Sequence, residues 1–320
     1  MNDATGLNAV LVTFDRPAEL RATLEKVLRQ SRRPDRLLVV DNGAAGGAGP
    51  TVTDFAGRGL AIELLDAPEN LGPAGGFALG MTEILGTAGD GDWIVLLDDD
   101  DPPYFDDALE RGLSFGVEQA TLDPMTGAVG LSGGRFDPRR GRVVRVGDDE
   151  IDGAVLVDHI TGGGLPLYRV GALRAAGVMR SELFFGYEEL ELGLRLTHMG
   201  YHIYADGDAW RERKTDKRAK GLLPPEEVSA TRAARVSVGL GPTSWRRYYS
   251  LRNLIMILRE TGHTMTAVKV SAARGVGKPL VNLFISPRDA WAQLRLGTRA
   301  VRDAWMGRAG RTVEPQGKRG

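Results

Sequence analysis

Residues Trp93–Pro103, WIVLLDDDDPP, constrain this chain more than any other stretch. Five apolar residues run straight into Asp98, Asp99, Asp100 and Asp101, and two prolines end the segment. An uninterrupted apolar run of that length reads as a strand covered on both faces, as in a parallel sheet. Its carboxyl end then carries dense negative charge. Oxygen donors in a row suit Mg²⁺ or Mn²⁺, which commonly share their coordination with substrate phosphates. In open α/β sheets, ligands bind beyond the carboxyl ends of the strands. A solvated acidic loop after an ordinary strand fits the same four letters, so the neighbouring segments have to decide.

Asn8–Phe14 (NAVLVTF) reads as a first buried strand, and Pro17 suits a helix start. Leu20, Leu24, Val27 and Leu28 repeat with helical spacing, and Arg36–Val40 is a second strand ending at Asp41-Asn42-Gly43. This βαβ unit implies a parallel pair with a right-handed crossover. Thr13 and Asp41 are then expected near strand ends on one sheet edge, where turn and cap chemistry would also account for them. Ala44–Pro50 reads as a flexible loop and Leu60–Leu65 as a third strand. Glu69–Gly80 (ENLGPAGGFALG) then enters a helix through a glycine-rich turn whose N–H groups can hold a diphosphate. The turn matches neither dinucleotide-binding nor P-loop spacing.

Phe105–Ala120 reads as helix, and short glycine-rich pieces over Thr121–Val157 point to mixed or antiparallel sheet. Thr161–Arg169 (TGGGLPLYR) allows close backbone approach to a ligand, or a bulge. In Leu183–Leu196 (LFFGYEELELGLRL), Glu188, Glu189 and Glu191 sit at an expected helix start, where the helix dipole stabilises carboxylates. Leu190, Leu194 and Thr197 are expected to face inward, leaving Glu189 to act as a general base near the acidic strand end. Arg211–Gly221 reads as a charged stretch and Leu222–Pro242 as a loop.

The formal net charge of −1 conceals an asymmetry. From Trp245 to Gly320 there are 15 Lys/Arg against 4 Asp/Glu, a surplus of 11, which leaves residues 1–244 at −12. A basic end on an acidic body suggests an anionic partner for that end. One helix is expected from Trp245 and another from Pro287, with Trp291, Leu294, Thr298, Val301 and Trp305 on one face and Arg288, Arg295, Arg299 and Arg302 along its flank. Such a helix can lie on a lipid surface or pack on the domain; a membrane surface suits it better than nucleic acid. Residues 309–320 read as disordered. The absence of cysteine excludes disulfides and thiolate chemistry. No signal peptide and no membrane-spanning run is expected.

Taken in order, VTFDRP (Val12–Pro17), VVDNG (Val39–Gly43), NLGPAGGFALG (Asn70–Gly80), LLDDDD (Leu96–Asp101), TGGG (Thr161–Gly164) and FFGYEELELGLRL (Phe184–Leu196) resemble the family 2 inverting glycosyltransferases, which have the GT-A fold. The resemblance covers roughly residues 8–260 in outline. The aspartate run, YYSLRN (Tyr248–Asn253) and the basic Trp-containing end look most like the galactofuranosyl and rhamnosyl transferase branch of actinobacterial cell-envelope synthesis. The resemblance implies a Rossmann-like nucleotide-binding half with a mixed sheet over 1–243, a helical basic extension over 244–308, and a disordered tail. It assigns Thr13, Arg16, Asp41, Asn70, Gly75, Gly76, Asp98 and Asp99 to a UDP- or dTDP-sugar donor. Asp99 and Asp100 go to Mg²⁺ or Mn²⁺, and Glu189 to the general base, a position where Asp is usual. Gly163, Gly164, Glu188 and Arg211 go to the acceptor, expected to be a polyprenyl-linked glycan at the inner face of the plasma membrane.

One departure stands out. Many relatives place a metal-binding histidine after a tryptophan following the last strand, and here Trp210 is followed by Arg211. Arg211 is then a candidate to supply positive charge in the metal's stead. Two further readings stay open. A transferase-like protein that binds sugar nucleotides without turnover is one; a nucleotidyltransferase is the other, although VTFDRP offers it only Arg16.

Overall fold

The computed structural model describes residues 5–43, 47–223, 245–282 and 287–314. The chain forms two compact units. The first comprises Met1–Arg135, Arg145–Arg180 and Glu189–Pro225, and the second Phe136–Val144, Ser181–Glu188 and Glu226–Gly320.

The first unit is built on an eight-stranded sheet. Its strands are β1 (Leu7–Thr13), β2 (Arg36–Asp41), β3 (Ile62–Asp66), β4 (Trp93–Asp98), β5 (Thr126–Gly130), β8 (Ala154–Val157), β10 (Leu167–Arg169) and β11 (His202–Asp206). They lie in the order β3-β2-β1-β4-β10-β5-β11-β8. The first four are parallel, while β10 runs antiparallel between β4 and β5. Two further strands, β6 (Gly133–Asp137) and β9 (His159–Ile160), pair antiparallel outside this sheet, and β7 is Arg142–Val144.

Both faces of the parallel part are covered, as the apolar runs require. On β1, Val10 and Val12 join Phe77, Met81 and Ile84 of α3 (Gly72–Leu85). The intervening Ala9 and Leu11 join Leu20, Leu24 and Val27 of α1 (Pro17–Leu28) on the other face, with Phe55 of α2 (Gly49–Ala56). Helix α2 corrects the loop reading of 44–50: Pro50 lies in its first turn, where the missing N–H costs no helical bond. Residues 44–46 fall outside the described part. Helix α4 (Ala108–Leu122) starts slightly later than expected, and α5 (Val170–Ala176) ends at Gly177. In α6 (Glu188–His198) the inward positions are Leu190, Leu192 and Leu196, not Leu194 and Thr197, and Thr197 is exposed. The charged stretch is a helix, α7 (Gly207–Ala219), capped by Asp206 accepting from the Ala209 N–H at 3.0 Å.

The second unit is mainly helical: α8 (Trp245–Glu260), α9 (Thr264–Val270), a π-helical stretch Ser271–Gly277, α10 (Lys278–Asn282) and α11 (Pro287–Trp305). Helix α11 starts at Pro287 as expected, but its packed face differs. Ala290, Gln293, Gly297, Ala300 and Ala304 are buried, whereas Trp291 is 66% exposed. The cause is close backbone approach: a methyl group at 297 would lie 2.3 Å from the Gly275 carbonyl oxygen. The side chain of Arg288 lies outside the described part. Arg252 is fully buried and donates to the carbonyls of Leu183 (2.8 Å), Glu182 (3.2 Å) and Gly310 (2.7 Å). Asn253 Nδ2 donates to Leu183, Phe185 and Gly186. The expectation of a disordered tail from 309 does not hold for its first residues. Thr312 bonds the Tyr248 hydroxyl and Val313 the Tyr249 hydroxyl, because buried phenols require partners. Residues 315–320 are not described.

Candidate active site

Strand register assembles the site. Thr13 lies opposite Asp41 on β2, and Val12 opposite Asp98 on β4, so the carboxyl ends of three parallel strands align on one edge. Within the aspartate run each carboxylate meets different surroundings. Asp99 is buried and accepts from the Thr13 hydroxyl (2.8 Å), the Phe14 N–H (3.4 Å) and Arg16 Nη1 (3.2 Å). Its backbone carbonyl accepts from Thr23 at 2.7 Å. Arg16 also bridges to Asp100 at 2.5 Å, whose side chain is 57% exposed. Asp99 is thus a structural tie between β1, α1 and β4, and both its oxygens are engaged.

Asp98 and Asp101 turn the other way, toward the glycine triplet. A methyl group at Gly162 would sit 3.2 Å from Asp98 Oδ2 and 3.6 Å from Glu189 Oε1. At Gly163 it would lie 2.7 Å from Asp101 Oδ2 and 3.3 Å from Arg213 Nη2, and at Gly164 2.1 Å from the Ser132 carbonyl oxygen. Any side chain on this turn would displace the acidic groups or strike backbone, which explains T-G-G-G at this place. Asp98 and Glu189 therefore face each other across Gly162. Burial, then the charges of Glu189 and the neighbouring aspartates, push the Asp98 carboxyl up to about 7. Burial also raises Glu189 and Asp101, with Arg213 and Lys217 opposing the rise at Asp101.

The three glutamates of α6 separate. Glu191 is held by Arg195 at 2.8 Å and 3.0 Å, and Glu188 is buried at 6% exposure within the second unit. Of the three, Glu189 lies opposite Asp98 across Gly162.

Other expected donor residues have local tasks. Asp41 accepts from the N–H groups of Gly43 and Ala48, both at 3.0 Å, and so shapes the loop after β2. Asn70 accepts from the Gly72 N–H at 2.9 Å. Gly75 and Gly76 are buried, and a methyl group at 76 would meet Val12 at 2.7 Å. Asn42, which the sequence left unassigned, clamps this turn through Leu71 N–H and the Gly72 carbonyl, both at 2.9 Å. The largest displacement concerns Arg211. It binds the Ile151 carbonyl and Asp152, away from the aspartates. The cations near Asp101 are instead Arg213 and Lys217, one turn apart on α7. Their signal in the sequence was the i, i+4 spacing counted from Arg213, available only once α7 is recognised as a helix.

The acidic group fits a hard divalent cation. Asp98, Asp100 and Asp101 offer oxygen donors, and the raised Asp98 carboxyl reports like-charge crowding that such a cation would relieve. Among the described residues no three acidic or histidine side chains already surround a common point. A cation bound here would therefore draw further ligands from water and phosphate oxygens.

Residues 9–120 match the model of glycosyl transferase family 2. Over this stretch the chain is similar to the family 2 glycosyltransferases, and its fold is of the GT-A type. The chain is galactofuranosyltransferase-like: it is 34% identical over 204 residues to galactofuranosyltransferase GlfT1 of Mycobacterium tuberculosis strain H37Rv, covering 60% of this chain and 64% of that protein. It is 33% identical over 203 residues to GlfT1 of Mycolicibacterium smegmatis, covering 60% and 65%. The match thus spans less than two thirds of these relatives. Among solved structures, GalNAc-T7 with UDP, GalNAc and Mn²⁺ is similar in fold at a TM-score of 0.53 and 11% identity, over 81% of this chain and 48% of that one.

Proposed function

We propose that this chain is an inverting glycosyltransferase that moves galactofuranose from a nucleoside diphosphate to a hydroxyl of a cell-envelope glycan. The observation that carries the reading is Glu189 opposed to Asp98 across Gly162, at the carboxyl edge of the parallel strands. The galactofuranosyltransferase relatives favour galactofuranose over rhamnose.

In this reading Thr13, Arg16 and Asp99 hold the edge of the donor site, and Asp41 and Asn42 shape the loops that receive the nucleotide. Asp98 and Asp100 would hold Mg²⁺ or Mn²⁺, which supplies positive charge to the diphosphate when bound. Glu189, whose affinity for a proton is raised by burial, takes the proton of the acceptor hydroxyl as that oxygen attacks the anomeric carbon. The bond from that carbon to the diphosphate oxygen breaks on the opposite face, so a single displacement inverts the centre. Gly163 and Gly164 keep the acceptor side of this turn free of side chains.

The second unit supports a lipid-linked acceptor at the inner face of the plasma membrane. Met265, Val268, Leu280, Val281 and Trp291 are exposed, accompanied by exposed Lys269, Lys278, Arg295, Arg299 and Arg302. Apolar anchors with basic neighbours suit an anionic lipid surface. No described helix is long and apolar enough to cross a membrane.

The test supplies UDP-galactofuranose and a prenyl-diphosphate-linked acceptor with Mn²⁺, and reads product anomer by NMR. Transfer with inversion is expected, and Glu189→Gln should abolish it. Donor that stays intact with acceptor present would overturn the proposal. It would favour a nucleotide-binding role without turnover.

A further inference from the structure

Helix α7 carries six cations between Arg211 and Lys220, and four of them have carboxylate partners. Arg211 pairs with Asp152, Lys214 and Arg218 with Asp148, and Lys220 with Asp216. Arg213 and Lys217 form no ion pair among the described residues. Yet Arg213 is the most buried of the set at 9% exposure. Among the described residues its side chain makes one hydrogen bond, a long one of 3.4 Å from Nη1 to the Ser132 hydroxyl, and its Nε has no partner there. The guanidinium lies 5.3 Å from the Tyr104 ring centre and the Lys217 ammonium 5.2 Å from it. Both cations are pulled down by burial, and Lys217 further by the charge of Arg213.

Two like charges one helical turn apart, desolvated and without an ion pair, destabilise the helix that bears them. Asp101, across Gly163, is the carboxylate whose charge acts on both, and it forms no ion pair with either among the described residues. The arrangement is short of one anion. We propose that Arg213 and Lys217 bind the diphosphate of the donor nucleotide, giving the leaving group fixed positive charge from the protein itself. The inference rests on the transferase reading above. When the anomeric carbon–oxygen bond breaks, the bonding electron pair goes to the diphosphate, and the charge it brings falls beside this pair. The acceptor proton goes to Glu189, so atoms and charge balance.

The consequence is binding of a nucleoside diphosphate that persists without a divalent ion. The experiment measures UDP, TDP and GDP binding to the full chain by calorimetry, in Mn²⁺ and in EDTA, with uridine as a control lacking phosphate. For wild type, one diphosphate should bind in both conditions. Arg213→Gln and Lys217→Gln should each weaken it about tenfold in EDTA, corresponding to ~1.4 kcal/mol, with a smaller loss in Mn²⁺ and none for uridine. Arg213→Lys, which keeps the charge, should restore most of the binding. Because Lys217 is only half-buried, Lys217→Gln tests the idea even where Arg213→Gln does not fold. Equal affinity of Lys217→Gln and wild type in EDTA would overturn the inference while leaving the transferase reading intact. Binding only in Mn²⁺ would do the same. A wild type that binds no diphosphate in either condition would overturn both.

Discussion

The hydroxyl of Thr13 donates to Asp99 Oδ2 at 2.8 Å across 86 residues of sequence. Strand β1 thereby fixes the rotamer of the second aspartate in the run. Thr13→Val keeps the shape and removes the donor, leaving that oxygen only the 3.4 Å contact from Phe14. Stability should fall by about 1–3 kcal/mol, the cost of an under-satisfied buried acceptor. Urea denaturation of wild type and variant measures it.

Glu189→Gln separates chemistry from folding. Removing a general base lowers turnover by about 10²–10⁴-fold. The same change removes a charge facing Asp98, so the metal-free variant should melt above wild type. A variant less stable than wild type in EDTA would contradict the crowding of these two carboxylates.

The Asp98 carboxyl sits at about 7 against an ordinary 3.8, because burial and nearby carboxylates favour its protonated form. The folded chain holds this proton more tightly than the unfolded chain. The stability it confers is full below the unfolded value and is lost as pH rises through about 7. In EDTA the melting temperature should fall between pH 5 and pH 8. Asp98→Asn should flatten that slope, and Mn²⁺ should reduce it by favouring the charged form.

Gly164→Ala places a methyl group 2.1 Å from the Ser132 carbonyl oxygen, which belongs to backbone and yields little. A loss of about 3 kcal/mol is expected, at the upper end for overpacking. Thermal melting of this variant beside Gly91→Ala, where the added methyl meets nothing, provides the comparison.

Asn253→Ala deprives the carbonyls of Leu183, Phe185 and Gly186 of one donor. Phe184, Gly186 and Tyr187 all have left-handed backbone, which the surrounding hydrogen bonds must maintain. Hydrogen exchange over residues 182–187 should accelerate, with a stability loss of about 1–3 kcal/mol.

The parallel half of the sheet was legible because burial on both faces leaves a plain mark: an uninterrupted apolar run such as Trp93–Leu97 bounded by turn residues. The placing of Thr13 and Asp41 on one sheet edge followed from the βαβ rule, whereas their direct pairing did not. The glycines of 162–164 were noticed, but the sequence could not say that they separate Glu189 from Asp98, since that contact depends on β10 returning antiparallel beside β4. Arg213 escaped notice for a different reason. Six cations on one helix look alike in a sequence, and only the placement of Asp148, Asp152 and Asp216 shows which of them are already neutralised. The small-residue face of α11 was hidden by its tryptophans, because burial of Gly297 and Ala300 depends on the backbone they approach.

The hydrogen bonds from Tyr248, Tyr249 and Arg252 to residues 310–313 also impose an order on synthesis. Helix α8 leaves the ribosome before the acceptors of its two phenols, Asp303 and the Val313 carbonyl, and one acceptor of Arg252, the Gly310 carbonyl, exist. The second unit can close only after Val313 has emerged. Until then its polar interior stays wet, and the nascent chain depends on water to satisfy those groups.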